Sequence, residues 1–139
     1  MMTPSDVVRR WYEEIWNQGR LEVCDEIFAP NYRHPGQPLP GPLGPRRIVE
    51  SYRRAFPDIH FTIEDMIADG GRVATRLTIR GTHLGTFDDI APTRHTIEFR
   101  AIGIFHVENG WLTKHWGLFD QAELRRQLQE SGADPAPWG

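Results

Sequence analysis

Six histidines are the side chains of this chain best suited to moving protons near neutral pH, since an unperturbed imidazole titrates between about pH 5 and 8. His115 leads them. It stands in the run Trp111-Leu-Thr-Lys-His-Trp-Gly-Leu-Phe-Asp120, where a neutral imidazole among apolar neighbours could act as a general acid/base. The competing reading is a core histidine bonded to a backbone carbonyl. His34 follows Asn31-Tyr32-Arg33 in a proline-rich stretch, and a His-Pro pair can hang a ring over a ligand or simply face solvent. Asp120 is either a third catalytic group or the cap of a helix opening at Gln121. Arg76, between Thr75 and Leu77, falls on the opposite alternation face from its apolar neighbours. If buried, it needs a carboxylate: Asp65, Glu64, or an anionic ligand.

Other constellations are missing. No His-x-His or His-x-x-x-His pair sits beside a third ligand, so no metal site is expected. A Gly-x-Ser-x-Gly elbow, a phosphate loop and a dinucleotide fingerprint are equally lacking, and no cofactor is expected. Cys24 lies on an apolar helical face, where a thiol is inert. His83, inside Gly-Thr-His-Leu-Gly, fits a turn-fixing role, while His60, His95 and His106 read as strand or surface residues.

The elements that must hold these groups follow from patterning. Thr3-Pro4-Ser5-Asp6 opens a helix whose Val7, Val8, Trp11, Tyr12, Ile15 and Trp16 recur at helical spacing, and Asn17-Gln18-Gly19 stops it. A short helix is predicted over 21–28, then a structured loop over 31–45 rich in proline. A third helix over 45–55 turns Ile48, Val49, Tyr52 and Ala55 inward. Strands are predicted over 60–68, 73–83, 95–107 and 111–119, then a closing helix over 121–129 and a Pro-rich tail. Helices first and a mostly antiparallel sheet afterwards make the class α+β.

Bulk properties agree with one small domain over 1–139. The chain has 139 residues, 39% apolar, with a net charge of −3 that is scattered, so no basic stripe argues for nucleic acid. No apolar run reaches membrane-spanning length, and a lone cysteine fits a reducing, cytoplasmic setting. Fifteen aromatic residues (seven Phe, five Trp, three Tyr) suit an ordinary core or a pocket for a flat, ring-containing ligand.

Trp16-Asn17-Gln18-Gly19, Phe56-Pro57-Asp58, Gly81-Thr82-His83-Leu84-Gly85, Ala91-Pro92-Thr93 and Asn109-Gly110 with His115-Trp116 together resemble the SnoaL-like polyketide cyclases and ester cyclases of the NTF2-like superfamily. The resemblance implies a cone in which three N-terminal helices pack on a curved, mostly antiparallel sheet enclosing a pocket, usually in a homodimer. It implies ring closure by intramolecular aldol chemistry without metal or cofactor. It also places a catalytic His and Asp on the last two strands, and this chain carries Gly103 and Gly117 at those positions. Neither glycine can exchange a proton through a side chain.

Hairpin geometry decides what faces the pocket. A three-residue loop Glu108-Asn109-Gly110 would pair Val107 with Trp111, set Gly103 opposite His115 and Ala101 opposite Gly117, and place all of them on one surface. A two-residue Asn-Gly turn would separate Gly103 from His115. The three-residue loop is the expectation, because Phe99, Ala101, Gly103 and Phe105 then share the pocket face. Interior glycines in a strand mark either a bend or added space for a bulkier ligand. The expected catalytic groups are His115, His34 and Asp120. Expected ligand contacts are Arg76, Trp16, Tyr12, Phe99, Gly103, Phe105 and Gly117. The function expected is cyclisation or isomerisation of a small molecule with an apolar ring or chain. A non-catalytic binding protein and a hydroxylase on the same fold are the alternatives.

Overall fold

The computed structural model describes residues 2–36 and 39–133, so Gln37, Pro38 and the Pro-rich tail lie outside the described residues. Helix α1, Pro4–Arg10, begins where expected. The Thr3 hydroxyl accepts from the Asp6 N–H at 3.1 Å and the Asp6 carboxylate accepts from the Thr3 N–H at 2.9 Å, a reciprocal cap. The bond from the Thr3 N–H, and secondly the Thr3 hydroxyl, also hold the Asp6 carboxyl below its ordinary value. The helix then widens into a π-helical stretch, Trp11–Trp16, closed by the Asn17 N–H donating to Tyr12 O. The wide turn buries Trp11, Tyr12, Ile15 and Trp16 together. π-helical turns of this kind are frequent at functional sites.

Asn17 explains why the stop signal is specific. Its side-chain amide donates to Phe61 O at 3.0 Å and its carbonyl accepts from Phe61 N at 2.7 Å, clamping the helix end to the first strand. The predicted second helix divides into a 3₁₀ turn, Leu21–Val23, and the four-residue α2, Cys24–Ile27. The third, α3, begins two residues earlier than expected, at Leu43–Ala55, and buries Val49 and Ala55 as patterned. Cys24 is a free thiol, buried and pushed up to about 12 mainly by that burial.

Four strands form one antiparallel sheet in chain order: β1 His60–Asp69, β2 Arg72–Thr82, β3 Thr96–Glu108 and β4 Trp111–Phe119. A parallel bridge between Phe28 and Leu112 ties the end of α2 to β4. Helix α4, Gln121–Ala133, returns across β3, where Gln127 bonds both the N–H and the carbonyl of Glu98. The core lies between the helices and the inner sheet face, with Leu77, Ile79, Phe99, Phe105 and Leu112 fully buried against Trp11, Ile15 and Phe56. The other face is open. Ile102, Ile104, Trp116 and Leu118 project from it, Leu118 at 79% exposure.

The β3–β4 register corrects the sequence expectation. Glu108 pairs with Trp111 across a two-residue turn, with Asn109 and Gly110 at φ of 53° and 81°. Two successive left-handed residues fit that tight turn, and Asn-Gly is the sequence that tolerates both. Phase is restored by a bulge. Val107 pairs with Leu112 but His106 pairs with Lys114, leaving Thr113 as an extra residue whose hydroxyl bonds His106 O at 3.2 Å. Gly103 therefore faces Gly117, Phe105 faces His115, and Ala101 faces Phe119. The face assignments hold, because the bulge does what the longer loop was expected to do.

Candidate active site

A cavity of about 280 Å³ opens between the π-helical turn, α3 and the inner ends of β2 and β4. Trp11, Tyr12 and Trp16 form one wall, Ile48 and Tyr52 another, and Leu77 with Phe119 a third. Gln121 donates to the Tyr52 hydroxyl at 2.7 Å where β4 runs into α4. Pro35 and Gly117 border the cavity, and His34 and His115 supply its imidazoles. Among the described residues no Arg, Lys, Asp or Glu lines it.

His115 reaches the cavity from β4 because the bulge turns it inward. Its ring stacks on Phe105, with centroids 4.2 Å apart and planes 7° from parallel, and meets Trp11 edge-on at 6.2 Å. Nδ1 is shut away from solvent with no hydrogen-bond partner among the described residues. Nε2 lies on the Gly117 side, where a Cβ on residue 117 would come within 2.9 Å of it. Burial, and secondly the neighbouring His34 ring, push the imidazole down to about 3, so His115 is neutral at physiological pH.

His34 enters from the loop after α2, its ring 5.7 Å from that of His115. Its Nδ1 shares a 2.7 Å hydrogen bond with the Tyr32 hydroxyl. Burial pulls it below the usual histidine value. The two histidines are thus brought together in one apolar cavity, both uncharged.

The other candidates separate. Trp16, Tyr12 and Gly117 line the cavity, as the sequence reading proposed. Phe105 lies beneath His115, and Phe99 is a core residue against Phe119. Asp120 caps α4, its carboxylate accepting from Glu123 N at 3.1 Å, and does not reach the cavity. Arg76 is on the outer sheet face, half exposed and paired with Asp65 at 2.7 Å. It does not line this cavity, because its alternation phase points it away from the cone.

Gly103 also differs from the expectation of empty space. A Cβ there would meet the Thr75 hydroxyl and the Tyr12 hydroxyl at 3.0 Å and the Phe105 ring at 3.1 Å. Tyr12 and Thr75 share a buried 3.1 Å hydrogen bond in that volume. At Gly117 the corresponding space belongs to the His115 imidazole. Each glycine makes room for a neighbouring side chain of this protein.

His83 behaves as a turn fixer. Its Nδ1 accepts from Thr93 N at 3.1 Å, and its backbone pairs with His95 and Arg94. Sequence reasoning missed Tyr32, Tyr52 and Leu77. Tyr52 was legible as an inward helix position. Tyr32 carried one signal, its place two residues before His34, which puts both rings on the same side of an extended segment. Among the described residues there is no cluster of three metal-ligating side chains and no helix long and apolar enough to cross a membrane.

With this geometry in hand, similarity to known proteins is informative. The SnoaL-like polyketide cyclase family model matches residues 6–128. Among solved structures, IdmH of Streptomyces antibioticus, described as a proposed polyketide cyclase, is 30% identical. It superposes with a TM-score of 0.79, covering 92% of this chain and 99% of that one. TsrD of Streptomyces laurentii is 26% identical with a TM-score of 0.80, covering 92% and 98%. AclR of Streptomyces galilaeus, described as a proposed hydroxylase, is 21% identical with a TM-score of 0.80 over 91% and 96%, a likeness of fold. No curated protein sequence matches the chain. The match over most of its length, on a cone with an aromatic cavity, makes this chain a member of the SnoaL-like polyketide cyclase family.

Proposed function

We propose that the protein closes or isomerises a ring on an uncharged, carbonyl-bearing small molecule of polyketide type, by proton transfer within the apolar cavity. The observation that carries this reading is the pair of neutral histidines, His115 and His34, in a cavity that no charged side chain among the described residues lines. A carboxylate or phosphate brought there would lose its hydration without gaining a counter-ion, a cost of several kcal/mol. A flat, neutral ring would instead pack against Trp11, Trp16 and Tyr52.

In the step proposed, His115 Nε2 takes a proton from the carbon between two carbonyl groups. The C–H electron pair moves into the enolate, whose oxygen accepts a hydrogen bond from His34. The enolate carbon attacks a third carbonyl further along the same molecule, and that oxygen receives the proton back from His115. Nothing is oxidised and nothing leaves. Burial makes the protonated imidazole a strong acid, so it returns its proton readily, while removing one demands a carbon already acidified by two carbonyls. Confinement of a flexible chain supplies the rest of the rate, because ring closure is dominated by how often the two ends meet.

The test is exchange of substrate C–H for deuterium in heavy water, followed by NMR on aromatic 1,3-diketones and on matched carboxylates. Faster exchange of the neutral compounds, lost in a His115 variant, supports the reading. Tight binding of the diketones with no acceleration would instead identify a non-catalytic binding protein. A hydroxylase would consume oxygen with these compounds.

A homodimer is also proposed. Ile102, Ile104, Trp116 and Leu118 form an apolar stripe on the outer face, and exposed stripes of this kind mark association surfaces. Trp116→Glu should convert a dimer to a monomer in light scattering with little change in fold. A wild-type monomer would refute the assembly.

A further inference from the structure

We infer that Tyr32 fixes the tautomer of His34, making it a dedicated Nε2–H donor to the ligand's carbonyl or enolate oxygen rather than a second base. The inference deepens the proposed function and rests on it for the identity of the acceptor. Tyr32 is 1% exposed, and its ring packs on Phe28 at 4.8 Å. Its backbone is held on both sides, N–H to Ala29 O at 2.9 Å and carbonyl from Gly41 N at 2.7 Å. The phenol therefore cannot swing away from His34.

Proton counting then decides the direction of the 2.7 Å hydrogen bond between the Tyr32 hydroxyl and His34 Nδ1. Burial holds the phenol protonated and the imidazole neutral, so each ring carries one proton on its heteroatoms. Among the described residues the phenol has no other hydrogen-bond partner. If Nδ1 donated, the phenolic proton would be buried without an acceptor, a cost that natural structures avoid. Tyr32 therefore donates, Nδ1 accepts, and the imidazole proton resides on Nε2. The same bond deprives His34 of the lone pair a base requires. His115, whose Nδ1 has no hydrogen-bond partner among the described residues, is left to fill that role. Tyr32 acts through His34 and is a positioning residue.

The experiment is two-bond ¹H–¹⁵N correlation NMR of the full chain with ¹⁵N-labelled histidine, wild type against Tyr32→Phe. It needs no ligand. The wild type should show His34 as a single Nε2–H tautomer, and Tyr32→Phe, which keeps the ring, should show a mixture of both. A wild-type His34 protonated on Nδ1, or a variant still wholly Nε2–H, overturns the inference. If the variant fails to fold, the wild-type spectrum alone decides. Deuterium exchange of an aromatic 1,3-diketone should slow about five-fold in Tyr32→Phe, the loss expected for one misdirected hydrogen bond. An unchanged rate would overturn the functional role even with the tautomer as inferred. Failure of the proton-transfer reading itself is seen separately, as exchange that a His115 variant leaves intact.

Discussion

His115→Phe should lower turnover of a neutral diketone by roughly 10²–10⁴-fold, the span that a positioned acid/base contributes. It should leave the protein at least as stable. Phenylalanine keeps the ring that stacks on Phe105 at 4.2 Å and removes Nδ1, a buried nitrogen with no partner. Relieving an unsatisfied buried group is worth about 1–3 kcal/mol. Residual activity should survive, because confinement of the substrate in the cavity does not depend on the imidazole.

The same variant should alter acid stability in a predictable direction. His115 is pushed down to about 3 in the folded state, against an ordinary value near 6.5 when unfolded. Between those values the unfolded chain binds the extra proton, so stability falls as pH drops through that window and is intact above it. Without the imidazole, that part of the acid sensitivity disappears. Urea unfolding at a series of pH values measures it, and unchanged acid sensitivity in His115→Phe would mean that the ring is more hydrated than its surroundings imply.

Gly103→His, which returns a histidine to the position where SnoaL-like cyclases are expected to carry one, should destabilise the fold by about 3 kcal/mol or more. Three groups occupy the space: Thr75 and Tyr12 oxygens at 3.0 Å from the Cβ position and the Phe105 ring at 3.1 Å. The imidazole would have to break the Tyr12–Thr75 hydrogen bond and displace the ring that supports His115. Denaturant unfolding checks the magnitude, and activity should fall rather than rise. A variant as stable as wild type with greater turnover would show that the chain still accepts the relative's arrangement.

These expectations bear on how much was legible beforehand. The fold was, because each element carried a local signal: Thr3 and Asp6 at a cap, Asn17 at a helix end, Asn109-Gly110 at a turn. So was the inward face of β3, through its period-two pattern. The turn length was not, because a longer loop and a bulge give the same phase, and only the Val107–Leu112 and His106–Lys114 pairs distinguish them. Nor was the content of the glycine spaces. A missing side chain in sequence does not tell whether solvent, ligand or a residue from distant β2 fills the volume, and Thr75 does so from 28 positions away. Arg76 was expected at the ligand and Asp120 among the catalytic groups or as a cap, because a strand's charged residue and a helix cap look like site residues until direction in space is known, and neither lines the cavity. His34 and His115 were found separately. Their meeting depends on the loop after α2 folding back over β4.

Thr113 has a wider consequence. One bulged residue decides which side of β4 faces the cavity and which faces away from it. Were it paired in the ladder instead of bulged, every later residue would slip by one and the two sides would exchange: His115 would go out to solvent, and Trp116 would turn toward the cavity, its apolar stripe dissolved. Closing the bulge with Thr113 kept would thus erase the proposed proton-transfer site and the proposed association surface together. Both properties are carried by one strand that reads in two directions, and they are inherited as a unit.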